Sequence, residues 1–415
     1  MDQTTAPTGA LNGLRVLDLS RVLAGPWCTQ ILADLGAEVI KIERPGIGDD
    51  TRHWGPPFLH DADGNVTTQA TYFTATNRNK KSVTLDLTRP EAQDLIRKMA
   101  AGSDVLVENF KVGGMRGYGL DYESLKEINP RLIYCSITGF GQTGPYSPRA
   151  GYDLLVQASS GMMSITGRPD GAPGGGGMRV GVAITDVFTG IYASTAILAA
   201  VHARHATGLG QHIDMALLDV GMAILANQAS AFLNTGEAPK RHGNSHPSIV
   251  PYQDFPTADG AMLLAIGNDG QFARFCEAAG HPEWSSDPRF LRNTPRVTHR
   301  AILIPLIEAV TCTRTTAQWV DALGQLGVPC GPINDIEQAF ADPQVVARSL
   351  KISQATAPGS VVSAIAGVAS PLRLSRNPPV LRNAPPALGE HTEAVLAELG
   401  LSAQQVAALR RTGVI

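Results

Sequence analysis

Leu14-Arg15-Val16-Leu17-Asp18-Leu19, then Ala24-Gly25-Pro26 opening a helical pattern from Trp27 to Leu35, then Glu38-Val39-Ile40-Lys41-Ile42-Glu43, reads as strand, helix and strand. A unit of that kind within roughly 30 residues is a βαβ crossover, which requires a parallel sheet with helices laid over it. The pattern recurs. Ser82-Val83-Thr84-Leu85-Asp86-Leu87 and Val105-Leu106-Val107-Glu108 flank a helical stretch over 89–101, and Leu132-Ile133-Tyr134-Cys135-Ser136-Ile137 adds another strand. Residues 1–215 are therefore predicted to form a large, doubly wound, Rossmann-like α/β domain.

Beyond about Met222 the texture changes. A strand over 261–266 and amphipathic helices over 271–279, 301–309 and 315–326 predict a smaller α+β domain spanning 222–331. Residues 332–386 hold many prolines and few periodic runs, the character of a linker. Residues 387–415, helical over 390–411, are expected to return to the large domain. The turn after the first strand, Ser20-Arg21-Val22-Leu23-Ala24-Gly25, does not fit Gly-x-Gly-x-x-Gly, which argues against a nicotinamide cofactor. Gly174-Gly175-Gly176-Gly177 has no Lys-Ser/Thr after it, so it reads as a surface loop and not a P-loop.

Of the 415 residues, 43% are hydrophobic and 17% charged, with a net charge of −3. That balance makes no electrostatic case for nucleic acid or a membrane surface. With no long uninterrupted apolar run and no basic-then-apolar N-terminus, a cytoplasmic protein is expected. The five cysteines are scattered without a Cys-x-x-Cys pair and read as reduced thiols. His202 and His205 share a helical face, while His212 and Asp214 alternate as in a strand; the spacing closes no metal-ligand set. No Gly-x-Ser-x-Gly elbow is present for a serine hydrolase.

One carboxylate stands out in Gly181-Val182-Ala183-Ile184-Thr185-Asp186-Val187-Phe188-Thr189-Gly190, ahead of a mostly apolar helix reaching about Ala203. Thr185 or Asp186 would be its N-cap or a first-turn residue, where free N–H groups stabilise negative charge. Read alone, Asp186 is a cap.

Several stretches together resemble the class III CoA-transferases, the CaiB/BaiF family, which includes formyl-CoA:oxalate transferase and α-methylacyl-CoA racemase. They are Leu23-Ala24-Gly25-Pro26, the run from Ala33-Asp34-Leu35-Gly36 to Glu43-Arg44-Pro45, Asn77-Arg78-Asn79-Lys80-Lys81-Ser82 and Val107-Glu108-Asn109-Phe110. Gly139-Phe140-Gly141-Gln142-Thr143-Gly144-Pro145-Tyr146, Gly151-Tyr152-Asp153, Gly327-Val328-Pro329-Cys330-Gly331-Pro332 and Gly389-Glu390-His391-Thr392 complete the set. The resemblance implies that Asp186 is a nucleophile toward an acyl-CoA thioester, with CoA and acyl-CoA as substrates and no metal or tightly bound cofactor. Tyr152 stands where the racemases carry a His, which favours transfer; the alternative is an acyl-CoA racemase or isomerase, and a third reading is CoA binding without chemistry. Tyr152 is placed with Asp186 among the catalytic residues, where its phenol can pack on or hydrogen-bond the acyl group; a core tyrosine without catalytic duty is the plain alternative.

For CoA, the resemblance points to Val22, Ala24, Arg44, Leu85, Asn109 and Phe110. The usual basic residues are replaced by Lys111, by Gly117 beside Arg116, and by Thr88, leaving Arg89 and Arg149 as possible substitutes. The segments holding Arg52 and Trp54, and His246, look like the dicarboxylate branch, the succinyl-CoA:glutarate transferases. A distal carboxylate needs a fixed cation, for which Arg52 and Arg78 are candidates; either is equally readable as a structural ion pair. The resemblance also implies an interlocked-ring homodimer, in which 332–386 would be a threaded linker.

Overall fold

The structure, a computed structural model, describes residues 9–415. Its main sheet contains β1 (Arg15–Asp18), β2 (Glu38–Glu43), β3 (Lys80–Thr84), β4 (Val105–Glu108), β5 (Ile133–Thr138) and β6 (His212–Ala216). All six are parallel, in the order β3-β2-β1-β4-β5-β6. The order reverses direction between β1 and β4, the switch point of a doubly wound sheet.

Why these strands lie inside follows from their alternation. Val16, Val39, Val105, Val107, Ile133 and Cys135 point to one face, covered by α1 (Ala24–Asp34) and by the longer Ile184–Thr207 helix. Leu17, Leu19, Ile40, Ile42, Val83 and Leu106 point to the other. There α2 (Pro90–Ala101) supplies Leu95, Ile96 and Met99. The chain's end adds Val395, Leu396, Val406 and Val414. Both faces are buried, so the strands read as nearly unbroken apolar runs.

Three further helices follow in the chain: α3 (Asp153–Ser159), α4 (Ile184–Thr207) and α5 (Leu217–Ala223). By length and composition α4 could cross a membrane. Here its Ala193, Ile197 and Ala200 are core residues packed with α1 and the sheet.

The chain divides into two compact units. One holds residues up to 162 together with Val180–Ser230 and Gln344–Ile415; the other holds Met163–Arg179 and Ala231–Pro343. The second unit is built on the antiparallel strands β7 (Tyr252–Thr257), β8 (Gly260–Ala265) and β9 (Cys330–Pro332). Phe255, Met262, Leu264, Phe272, Phe275 and Trp319 fill its core.

Residues 344–386 run along the first unit: Val380 N–H donates to Asp34 O (2.8 Å), and Arg382 donates to the carbonyls of Ala33 and Ala37 at the end of α1. One feature departs from the sequence reading. The helix expected over 390–411 is two, Thr392–Glu398 and Ala403–Arg411. Gly400, at φ 88°, breaks it, and Ser402 and Gln405 form a capping box that starts the second.

Candidate active site

The switch point is walled by the loops leaving β1 and β4, and buried charges hold both. Asp18 ends β1 fully buried and accepts from Thr29 Oγ1 (2.6 Å) and Lys80 Nζ (3.1 Å). Burial alone would raise its carboxyl, but Lys80 and Lys41 hold it below the ordinary value. Lys41, also fully buried, donates to Asp49 (2.9 Å) and to Ser20 O (2.8 Å). Val22 sits at φ 72°, a strained conformation for a β-branched residue. Asp49 holds it there by accepting the Val22 N–H (3.2 Å). Asn109, just after β4, accepts the Arg21 N–H (2.9 Å) and donates to Arg21 O (2.7 Å), tying the two loops together. Glu108 accepts the Phe110 N–H (2.7 Å), and its burial pushes its carboxyl up to about 7.

Asp186 enters from α4. Ala183 is the N-cap and lacks a side-chain cap bond, and Asp186 lies in the first helical turn. One turn later, Gly190 lets α4 approach α1: a Cβ there would stand 2.7 Å from Ala24 O. The start of α4 is tied down by Asp153, which accepts from the Thr185 N–H (2.8 Å) and the Thr185 hydroxyl (2.6 Å). Gln157 donates to the other Asp153 oxygen (2.6 Å) and accepts the Val180 N–H (2.9 Å). Burial, and the like charge of Asp153, push the Asp186 carboxyl up to about 7. Tyr72 faces both carboxylates; burial and their charges raise its phenol. The strand-to-helix passage before Asp153 depends on two glycines. A Cβ on Gly139 would stand 2.4 Å from Gly151 Cα, and one on Gly151 would stand 2.3 Å from Gly139 Cα.

Asp186 lines a cavity of about 450 Å³ together with Val22, Ala24, Asn109, Phe110 and Tyr152. Tyr152 is 66% exposed at the N-cap of α3. Lys111 and Arg149 line the same cavity; Arg149 stacks on Tyr146 at 3.8 Å. Arg44 and Leu85 line a second cavity of about 330 Å³, which shares Arg21, Phe110 and Tyr118 with the first. All six residues expected at CoA thus fall on two adjoining chambers.

The expected acceptor residues are dispersed. Arg52 lines a third cavity of about 480 Å³. Its guanidinium is bidentate on buried Glu43 (2.7 Å) and lies 3.6 Å from the Phe73 ring centre. Arg78 is buried against Asp34 (2.6 Å) and donates to Val368 O (2.8 Å). Trp54 packs edge-on against Tyr72 at 5.4 Å. His246 belongs to the second unit, edge-on to Tyr252, its Nδ1 accepting the Ser248 N–H. Among the described residues, no cluster of three or more His, Cys, Asp or Glu side chains could hold a metal.

The sequence profile of CoA-transferase family III matches residues 11–392. The chain belongs to that family. It is a class III CoA-transferase, an enzyme whose substrates are CoA thioesters. It is 52% identical to the succinate–glutarate CoA-transferase of Agrobacterium fabrum over 94% of this chain and 95% of that one. To the succinyl-CoA:glutarate CoA-transferase of Mus musculus it is 43% identical over 94% and 86%. Among solved structures, a CaiB/BaiF family protein from Brucella suis superposes with a TM-score of 0.82 at 48% identity, covering 95% of this chain and all of that one. The α/β architecture of the CoA-transferase is therefore that of its family.

Asp153, Thr185, Asp49 and Tyr72 are the site residues that sequence reasoning did not assign. Asp153 sits inside the Gly151-Tyr152-Asp153 motif, yet its partner Thr185 is 32 positions away, a pairing that only the fold creates.

Proposed function

We propose that this CoA-transferase moves CoA from succinyl-CoA to a dicarboxylate such as glutarate through covalent intermediates on Asp186. The observation that carries the reading is Asp186 on the wall of the cavity that Val22, Ala24, Asn109 and Phe110 also line. The substrate class draws support from the relatives' named activities on succinate and glutarate.

The steps follow from carboxylate chemistry. The ionised Asp186 attacks the thioester carbonyl, forming a mixed anhydride and releasing CoA thiolate. The thiolate attacks the aspartyl carbonyl, which yields an aspartyl-CoA thioester and frees the donor acid with one Asp186 oxygen. The acceptor carboxylate attacks that thioester, and the thiolate then attacks the acceptor's carbonyl. The new acyl-CoA leaves, and Asp186 keeps one oxygen from the acceptor. Lys111 and Arg149, unpaired with any carboxylate among the described residues, supply cations for the substrate's anionic groups. Arg52 and Arg78 would first have to release Glu43 and Asp34.

Tyr152 favours transfer over racemisation, since a phenol is a poor base near neutral pH. Homodimer formation, in the interlocked form that the resemblance implies, accords with exposed apolar residues on α3 and α4, including Leu154, Leu155, Ile191 and Tyr192. Incubation with succinyl-CoA and glutarate should yield glutaryl-CoA by mass spectrometry, without solvent deuterium entering the acyl α-carbon. Deuterium uptake without glutaryl-CoA would support the racemase reading instead.

A further inference from the structure

Asp153 is acidic, 9% exposed and held by three donors, yet no step above uses it. Two of those donors belong to Thr185, the residue immediately before Asp186. A buried carboxylate spent on a helix start one residue from the nucleophile fixes where the nucleophile's backbone begins. It also places a negative charge beside another, an arrangement that costs stability.

We propose that Asp153 is the positioning residue of the transfer reaction: it anchors the first turn of α4 through Thr185 and keeps Asp186 in a field of its own sign. This rests on Asp186 being the nucleophile. The two effects act on different quantities. The clamp orients the Asp186 carboxylate toward the thioester carbonyl, which governs the rate at any pH. The like charge adds to burial in making Asp186 hold its proton more tightly, which raises its nucleophilicity once ionised and moves up the pH at which it ionises. The titratable groups that face Asp186 are Asp153 from α3 and Tyr72 from the Thr71–Thr74 turn. Of these, Tyr72 is raised further from ionisation by burial and by the two carboxylates.

Single-turnover release of succinate from succinyl-CoA, without acceptor, is the readout, followed against pH for four variants. Wild type should rise through an acid limb set by Asp186. Asp153→Asn, which removes the charge, should move that limb about one pH unit lower and reduce the plateau rate. Thr185→Val leaves both carboxylates but deletes the hydroxyl donor. It should slow the plateau roughly tenfold or more, with the limb unmoved, and Thr185→Ser should restore the rate. A merely structural Asp153 would lower the melting temperature without shifting the limb. An unshifted limb in Asp153→Asn, or a wild-type plateau in Thr185→Val, overturns the proposal. Should Asp153→Asn not fold, the Thr185 pair decides alone. Asp186→Ala separates the two readings: if it still releases succinate in a burst, the nucleophile assignment itself fails, whatever Asp153 does.

Discussion

At the scale of single residues, the site keeps a carboxylate where a carboxylate is costly. Burial and Asp153 raise the folded-state value of Asp186 from 3.8 to about 7. The folded chain thus retains a proton that the unfolded chain releases. The stability linked to that proton is fully present below the unfolded value and lost as pH rises through the folded one. Asp186→Asn has no such group. Its melting temperature should exceed that of wild type by a margin that widens from about pH 5 to about pH 8, while transfer is abolished. Differential scanning fluorimetry across that range checks this; a margin constant with pH would mean that Asp186 is ordinarily solvated. The residue scale is also where the sequence was least legible. Arg52 and Arg78 have the charge expected of substrate clamps, but pattern alone could not reveal that Glu43 and Asp34 already hold them.

Among the elements, the strands of the main sheet were legible because burial on both faces forces long apolar runs. The helix carrying Asp186 was legible for a similar reason, although its cap is Ala183 and not a polar side chain. What pattern could not show is how closely elements approach. Gly139 meets Gly151, and Gly190 meets the start of α1, through contacts between distant parts of the chain. Asn77-Arg78-Asn79-Lys80 likewise proves to be a fastening. Asn77 and Lys80 bond each other, Arg78 takes Asp34, and Asn79 takes Asp34 and Val380 O and accepts from Arg382 and Asn383. Close approach predicts a specific cost. In Gly190→Ala the new methyl would stand 2.7 Å from Ala24 O, so α1 and α4 must separate. Overpacking of this kind typically costs about 1–3 kcal/mol, and it should also lower transfer because Ala24 and Asp186 share a cavity wall. Urea denaturation alongside the transfer assay reads both; wild-type behaviour in each would show that the helix contact has slack.

For the molecule as a whole, the family and its fold are carried by nearly the full chain, and the first unit alone supplies every residue around Asp186 described above. The C-terminal stretch belongs to that unit in a physical sense. His391 N–H donates to Ser82 O, Thr392 Oγ1 accepts the Thr84 N–H, and Ile415 is buried in the same core. Which residues 344–386 bond to was not legible in the sequence, because proline-rich segments lack the periodicity that reveals packing. With Asp186 as the nucleophile, one of its oxygens changes hands in every cycle. The direct measurement is turnover with succinyl-CoA and glutarate labelled with heavy oxygen in its carboxylates, followed by digestion and mass analysis of the peptide containing Asp186. Covalent transfer predicts one heavy oxygen on Asp186 itself, and heavy oxygen in the succinate released by later turnovers. Glutaryl-CoA formed while that peptide stays unlabelled would contradict it.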